Sequence, residues 1–282
     1  MPKIEHLIPI HYQRGDPMDR KDLQTMLPRE VRHLIREGKW RDHTTGICRG
    51  YTQANLAILP QSMAFDFLLF CQRNPKPCPV LEVGEPGDPI LRYIAKGADV
   101  RTDIPKYRVY RNGKMVAEVD TIENYWRKDL VAFLIGCSYT FETALLGANI
   151  PLRHIQQGRT VAVYITNIPC KPAGVFKGPT VVSMRMIPQD LVVRAVQVTS
   201  RFPATHGAPV HIGDPEKIGI KDLQKVDWGE PPIGEKGDVP VFWACGVTPQ
   251  AVAMESKPEL MITHTAGHMF LSDLRDEEMA AI

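Results

Sequence analysis

The order of four short segments between residues 159 and 213 constrains the fold of this chain more than any other feature. TVAVYITNI and TVVSMRMI have the composition of β-strands, QDLVVRAVQVTSRF has apolar residues at helical spacing, and APVHIG returns to a strand pattern. This strand-strand-helix-strand order is typical of a small two-layer α+β unit. The sequence therefore predicts such a unit, a ββαβ sandwich, over residues 151–226.

The segments on either side predict a larger main layer. CPVLEV near residue 80, VPVFWAC at 239–245 and residues 259–264 have the pattern of buried strands, and a helix is predicted at 248–256. We therefore expect an α/β (α+β) fold with two domains. Residues 1–150 and 227–282 form the discontinuous main domain, and residues 151–226 are inserted into it.

Other local patterns predict further elements. Asn112-Gly113 separates two alternating runs and accepts the positive φ angles of a tight hairpin turn. Helices are predicted at 28–38, 61–72, 122–135 and 139–146, and the second is so apolar that we expect it to be buried. Residues 1–20 have no clear period and are predicted to form an arm.

Charge and composition exclude several classes of protein. The 34 Lys+Arg and 32 Asp+Glu residues give a net charge of +2 without any block of like charge, which is unlike a nucleic-acid binder. No apolar run approaches the roughly 20 residues that a membrane span needs, and the N-terminus has no secretion-signal pattern. The six cysteines form no C-x-x-C pair, so we expect reduced thiols in a cytoplasmic protein. General frequencies favour a homo-oligomer.

Two segments offer backbone N–H groups at predicted helix starts. In GCSYTFE, Ser138 and Glu142 are explained either by a capping box or by an anion at the helix start. In FWACGVTPQ, Cys245 ends a predicted strand and Thr248 opens a helix, where a plain N-cap is the alternative to a ligand site. GYTQANLAILP is predicted to be a loop that caps a neighbouring element through its side-chain amides.

Arginines and histidines gather in two further segments. Arg185 and Arg201 could clamp a carboxylate while His206 and His211 exchange protons, unless these side chains only satisfy surface carboxylates and loop carbonyls. His264 and His268 are four residues apart, but Gly267 and the missing Glu argue against a zinc-peptidase helix. A metal bound by these two histidines and a distant third ligand stays open. No P-loop, dinucleotide or G-x-S-x-G pattern is present.

Seven ordered segments between about Gly46 and Phe270 resemble the D-glutamate cyclase family. They are GYTQANLAILP, FCQRNPKPCPVLEVGEPGDP, GCSYTFE, SMRMI, TSRFPATHGAPVHIGDP, VFWACGVTPQ and ITHTAGHMF. The chain is similar to the short bacterial members, which are described as hydro-lyases of unknown substrate. The resemblance implies a two-domain α/β fold and the conversion of D-glutamate to 5-oxo-D-proline and water. It also implies dependence on a divalent metal, manganese, without locating it.

Lactam formation from glutamate requires a cationic clamp, a base for the ammonium, and an acid or metal for the departing oxygen. Arg185 and Arg201 suit the clamp. The candidates for proton transfer or metal binding are His206, His211, Glu82, His264 and His268. Further substrate contacts are expected from Ser138, Cys245 and Thr248.

The same residues are compatible with other functions. A dehydratase of another small hydroxy or amino acid would use nearly the same groups, with the base removing a carbon-bound proton. A non-enzymatic binding protein for such an acid would need only the clamp. A thiol enzyme using Cys137 or Cys245 would need an exposed cysteine with a lowered pKa.

Overall fold

The computed structural model describes residues 19–281, so nearly all of the predicted N-terminal arm lies outside the described residues. The strands are β1 (Tyr51–Pro60), β2 (Val80–Val83), β3 (Tyr107–Arg111), β4 (Lys114–Val119), β5 (Leu130–Gly136), β6 (Ala162–Pro169), β7 (Pro179–Pro188), β8 (His211–Ile212), β9 (Asp238–Ala244), β10 (Met261–His264) and β11 (Phe270–Arg275). The α-helices are α1 (Arg20–Leu23), α2 (Pro28–Arg36), α3 (Gln61–Arg73), α4 (Glu142–Gly147), α5 (Arg153–Gln156), α6 (Val192–Ser200) and α7 (Thr248–Ser256).

These elements form an α+β fold with two antiparallel sheets, which confirms the predicted fold class. The larger sheet has the order β2-β5-β1-β10-β3-β4, and β11 also pairs with β1. Strand β1 lies at its centre, because all seven residues from Ala54 to Pro60 pair with β5 while its other edge meets β10 and β11.

The three strands of the predicted strand-strand-helix-strand unit lie in the smaller sheet. Its order is β6-β7-β9-β8, and α6 lies against it beside α4. Strand β9 was expected in the main layer, but it pairs with β7 over seven positions, from Val182 opposite Ala244 to Pro188 opposite Asp238. Since β8 has only two residues, β9 rather than β8 covers the edge of β7. The expected boundary at residue 226 therefore does not follow the sheets, and the division into two domains stays a prediction.

Several local predictions are confirmed. Helices α2, α3 and α7 form where the caps and periodicity place them. Asn112 and Gly113 both have positive φ, 49° and 77°, as the hairpin turn between β3 and β4 requires. Helix α3 is not buried all round, however, because it packs one face on the large sheet while Phe65 stays 74% exposed.

Two predicted elements are wrong in type. Residues 130–136, expected within a helix, form the completely buried strand β5, and residues 51–60, expected as a loop, form the central strand β1. Both segments are buried on both faces of the sheet, so neither shows the alternation by which half-buried strands are recognised. A short apolar run is compatible with either a strand or a helix, and here pairing with neighbouring strands decides.

The two sheets meet around one apolar cluster. It includes Cys137 and Tyr139 after β5, Val163 on β6, Cys245 after β9, and Met269 before β11. The ends of several strands and the segments that follow them thus converge between the sheets. Over residues 19–281, no helix is long and apolar enough to cross a membrane.

Candidate functional site

Two cavities adjoin where the sheets meet. The first, here called the Cys245 cavity, is lined by residues of both sheets that include Asn55, Cys137, Ser138 and Cys245, and has an empty volume of about 370 Å³, part of it open to solvent. The second, the Asp276 cavity, has about 660 Å³ on the same measure. Its lining includes Arg49, Gln53, Glu142, Thr143 and Asp276. Tyr139 lines both cavities. The space that water can enter is about 20 Å³ in the Cys245 cavity, which is room for one water molecule, and about 210 Å³ in the Asp276 cavity.

A buried network of charged and polar side chains lies beside the two cavities. The guanidinium of Arg185, only 1% exposed, donates from Nε to Oε1 of Glu142 at 2.9 Å, and its Nη2 reaches the same oxygen. Nη1 donates to Ser183 Oγ at 3.0 Å, and Nη2 donates to Ser138 Oγ at 3.1 Å. Four of the five N–H donors of Arg185 therefore point at protein groups.

Aromatic rings and strand alternation hold this arginine. The guanidinium lies 5.1 Å from the ring of Phe141 and 5.5 Å from that of Trp243. Ser183 and Arg185 are two residues apart on β7, so they share a face of the strand. Arg185 is thus contacted by Ser183 on its own strand, by Trp243 on β9 and by Phe141 in the segment before α4.

Glu142 is the carboxylate of the network. Burial opposes its ionisation, but the nearby His154 and Arg185, together with the hydrogen bonds from Arg185, outweigh burial and lower the pKa of Glu142. His154 Nε2 lies 3.1 Å from Oε1 of Glu142, without the alignment of a hydrogen bond. Because Glu142 also lines the Asp276 cavity, the network places an ionised carboxylate, paired with Arg185, on that wall.

The segment GCSYTFE is shaped by a close approach rather than by a capping box. A side chain at Gly136 would overlap the carbonyl oxygen of Ala204, so only glycine fits there. Helix α4 has Phe141 at its N-cap, without a side-chain cap. The Ser138 hydroxyl instead contacts Arg185 and lies 3.2 Å from Ser183 Oγ. The capping-box interpretation is therefore wrong for Ser138.

The hydroxyl of Tyr139 accepts one hydrogen bond, and its proton has no acceptor among residues 19–281. Thr45 Oγ1 donates to this oxygen at 3.0 Å. Burial raises the Tyr139 pKa well above its ordinary value. The phenol is therefore neutral at physiological pH and keeps its proton for hydrogen bonding.

The two cysteines of the Cys245 cavity are buried thiols. Burial raises the pKa of Cys245 to about 11 and that of Cys137 further still. A thiol enzyme needs an exposed cysteine with a lowered pKa. The geometry therefore does not support the thiol hypothesis.

Thr248 ties the small sheet to helix α7. Its hydroxyl donates to the carbonyl of Cys245 at 2.7 Å and accepts from the backbone N–H of Val181 at 3.2 Å. Both bonds are within the protein, and Thr248 lines neither cavity. It stabilises the turn after β9.

Three predicted residues lie apart from the network. Arg201 is exposed and its Nε reaches only the carbonyl of Ala281, at 3.5 Å, so it does not form a clamp with Arg185. Glu82 is buried and accepts the backbone N–H groups of residues 92–94, which makes it a support for that loop. His211 lies on β8 with Nε2 2.6 Å from the carbonyl of Asp214.

The remaining histidines line neither cavity. His206 is buried, its Nδ1 lies 2.8 Å from the carbonyl of Lys76, and burial lowers its pKa to about 4. His264 lies on β10, where its Nδ1 accepts the backbone N–H of Leu56 at 3.2 Å, and burial lowers its pKa to about 3. Burial also lowers the pKa of His268, whose Nδ1 lies 3.2 Å from the carbonyl of Ala266.

The described residues do not fit the manganese that the resemblance implies. Between residues 19 and 281, no group of three or more His, Cys, Asp or Glu side chains is arranged to bind a metal ion. His264 and His268 each place one ring nitrogen against a backbone group instead. We therefore assign no chemical step to a metal.

Sequence reasoning missed several members of the site. His154 and Asp276 gave no signal, and Tyr139 and Glu142 were named only for their place in a helix. Ser183 and Arg185 did carry a usable signal. They are two residues apart in an apolar strand, so their side chains lie on the same face, and a buried arginine there needs hydrogen-bond partners. The paired cavities depend on contacts between segments far apart in the chain.

Comparison with known proteins gives the chain its family. A family model described as D-glutamate cyclase matches residues 131–273. A protein of Thermoanaerobacter sp. strain X514 is 63% identical over 91% of this chain and 97% of its own length. A Geobacillus kaustophilus protein is 60% identical over 91% and 98%, and a Bacillus subtilis protein is 58% identical over 91% and 100%. All three bear the name "Putative hydro-lyase".

One solved structure, a nitrogen repressor-like protein from Methanococcus jannaschii, covers 83% of this chain at 11% identity with a TM-score of 0.36, too low to support any argument. The sequence relatives carry the assignment, because each is far above 30% identical and is covered almost completely. This chain belongs to the D-glutamate cyclase family.

Proposed function

We propose that this protein is a hydro-lyase that converts D-glutamate to 5-oxo-D-proline and water at the two adjoining cavities. The family assignment supports lyase chemistry, since the relatives bear the hydro-lyase name. The choice of D-glutamate among small carboxylates rests on the description of the family model. One structural observation carries the placement of the reaction, namely the buried charge network beside the cavities.

Such a network is costly for a fold to keep. Taking an arginine and a carboxylate out of water costs several kcal/mol per ion, and apolar residues of similar size often replace such a pair without loss of stability. Arg185 and Glu142 are nevertheless both nearly inaccessible to solvent. Charged groups buried at the wall of a cleft are more common at functional sites than elsewhere. The network therefore supports a role in chemistry rather than in stability.

The network and Tyr139 suit different parts of lactam formation. Arg185 and His154 keep Glu142 ionised, and its carboxylate is a possible partner for the ammonium of the substrate. Arg185 acts here as a positioning residue, because most of its donors already bind protein groups. Tyr139 is suited to donate a hydrogen bond to the departing oxygen, whichever cavity holds the substrate.

The first experiment is an NMR time course of the purified protein with D-glutamate, L-glutamate and a panel of small hydroxy acids, with and without manganese. We expect 5-oxoproline to appear from D-glutamate only. Loss of a hydroxy acid while both glutamates persist would replace the cyclase with a dehydratase. Absence of any turnover would instead favour a binding protein for such acids.

A matched pair of variants then tests the site. Tyr139→Phe removes only the hydroxyl of the residue that lines both cavities, and we expect turnover to fall at least 100-fold, a typical loss for a hydrogen-bond donor to a developing negative charge. Tyr164→Phe removes another buried hydroxyl, which donates to the carbonyl of Leu223 at 2.7 Å and lines neither cavity. Wild-type turnover in Tyr139→Phe, with circular dichroism unchanged in both variants, would place the reaction elsewhere.

A further inference from the structure

The Asp276 cavity contains a buried carboxyl that the network does not explain. Asp276 is 6% exposed, and its Oδ1 has no hydrogen-bond partner. A buried carboxyl oxygen without a donor is unfavourable unless a ligand or a proton satisfies it. Since Asp276 lines this cavity, a ligand bound there lies next to its carboxyl group.

The surroundings of Asp276 give it the properties of a base that works near neutral pH. Burial raises its pKa to about 7, the nearby hydroxyls of Thr143 and Thr52 oppose the rise, and the charges of Glu277 and Glu142 add to it. A general base is most efficient when its pKa lies near the working pH. An ammonium group bound at this position would gain the ionised carboxylate as a partner.

A free cation lies on the same cavity. Arg49 is exposed, and its guanidinium has no hydrogen bond or ion pair to any residue within 19–281. The backbone N–H of Asp276 donates to the carbonyl of Gly50 at 3.0 Å, so Asp276 is adjacent to the residue that follows Arg49. The nearby guanidinium of Arg275 is already stacked on Tyr51, 4.4 Å from the ring centroid. Arg49 is therefore the cation available to a ligand.

We propose that the Asp276 cavity binds the amino-acid head group of the substrate, with the α-carboxylate on Arg49 and the ammonium on Asp276, and that Asp276 is the base that takes the ammonium proton. One cation and one carboxyl on a single cavity complement the two charges of an α-amino acid. The catalytic part of this assignment rests on the proposed cyclisation, whereas the binding part does not depend on it.

The cyclisation is balanced in protons and needs no further reactant. The ammonium gives its proton to the Asp276 carboxylate, and the nitrogen lone pair then attacks the γ-carboxyl carbon. The new C–N bond forms, one C–O bond breaks, and the nitrogen loses a second proton as it becomes the lactam N–H. The departing oxygen takes up two protons and leaves as water, so the two lost by nitrogen balance the two gained by oxygen.

Binding of two ligands that cannot cyclise tests the assignment separately from turnover. D-Norvaline has the α-carboxylate and ammonium of D-glutamate but no γ-carboxylate, and valerate lacks the ammonium as well. We expect calorimetry on the full-length protein to show D-norvaline binding at least tenfold more tightly than valerate. Asp276→Asn should reduce this ratio to near one. Arg49→Gln should weaken both ligands by a similar factor and leave the ratio unchanged.

Glu278→Gln is the matched control, because Glu278 is an exposed acid in the same short turn and does not line the cavity. It should change neither affinity. If D-glutamate is cyclised, Asp276→Asn should also lower kcat at least 100-fold, with partial recovery in Asp276→Glu. A preference for D-norvaline that survives Asp276→Asn, or a wild-type protein that binds neither ligand, would overturn the assignment even if 5-oxoproline is formed.

Discussion

The buried pair of Arg185 and Glu142 predicts a strong energetic coupling that a double-mutant cycle can measure. Arg185→Met leaves the Glu142 carboxylate with only His154 beside it, and removing one partner of a buried pair costs about 3–5 kcal/mol. Glu142→Gln leaves the guanidinium with two serine hydroxyls and a neutral amide, so we expect a loss of about 3 kcal/mol. The two single losses add to roughly 6–8 kcal/mol.

The double variant leaves no unpaired buried charge between these two positions, but the buried hydroxyls of Ser138 and Ser183 lose the hydrogen bonds from Arg185. We therefore expect its total loss to stay near 3–5 kcal/mol, which corresponds to a coupling of about 3 kcal/mol. Urea unfolding at pH 7, followed by far-ultraviolet circular dichroism, gives the four free energies of unfolding.

An exposed ion pair provides the control for this cycle. Arg92 Nη2 lies 2.8 Å from Asp88 Oδ2, but the two side chains are 60% and 29% exposed. Coupling in the Arg92→Met and Asp88→Asn cycle should stay below about 1 kcal/mol. If the Arg185 and Glu142 cycle gives a value as small as the control, the network is not the tightly coupled unit described above.

Four other predictions follow from single residues. Asp276→Asn should have a free energy of unfolding roughly 2–4 kcal/mol higher than that of the wild type at pH 8. The reason is that the raised pKa of Asp276 lowers the stability of the wild type as the pH rises from about 4 to about 7. The free energies of unfolding of the two proteins should converge near pH 4. Glu82→Gln should lower the free energy of unfolding by about 1–3 kcal/mol, since it weakens the bonds to three backbone N–H groups, while kcat of the folded protein stays unchanged. Arg201→Ala should keep turnover within a few-fold of wild type, and a 100-fold loss would bring this exposed arginine back into the site. Burial lowers the pKa of His206 to about 4, so its ring is neutral in the folded protein near pH 7. The free energy of unfolding should therefore fall by roughly 3 kcal/mol as the pH drops from 6.5 to 4. In His206→Gln this fall should be correspondingly smaller.

Elements with their own local signals were predictable from the sequence. The hairpin at Asn112-Gly113 needs only positive φ at both residues, and α2 begins at Pro28, a favoured first helical position. Strand β5 was not predictable in this way, because its apolar run from residue 130 to 136 suits a buried helix as well as a buried strand.

The residues of the candidate site also differ in whether the sequence predicts them. Ser138, Arg185 and Cys245 could be singled out from the sequence, and they do lie in or beside the paired cavities. Arg201 and Glu82 looked equally suitable in the sequence. The sequence does not show that Arg201 is exposed, or that the Glu82 carboxylate already accepts hydrogen bonds from backbone N–H groups of a loop. Asp276 gave no signal, because its raised pKa arises from burial against segments more than 100 residues away.

By itself, the sequence determined the α+β class, most of the helices and strands, and membership of the family, since these depend on local periodicity, turn residues and ordered segments. The tertiary structure alone decided that β9 completes the small sheet and that Glu142 pairs with Arg185, 43 positions away. It also decided which polar groups are buried without a partner. Pairing and burial depend on which distant segments meet, and the free energy of a charge depends on how much water those segments exclude.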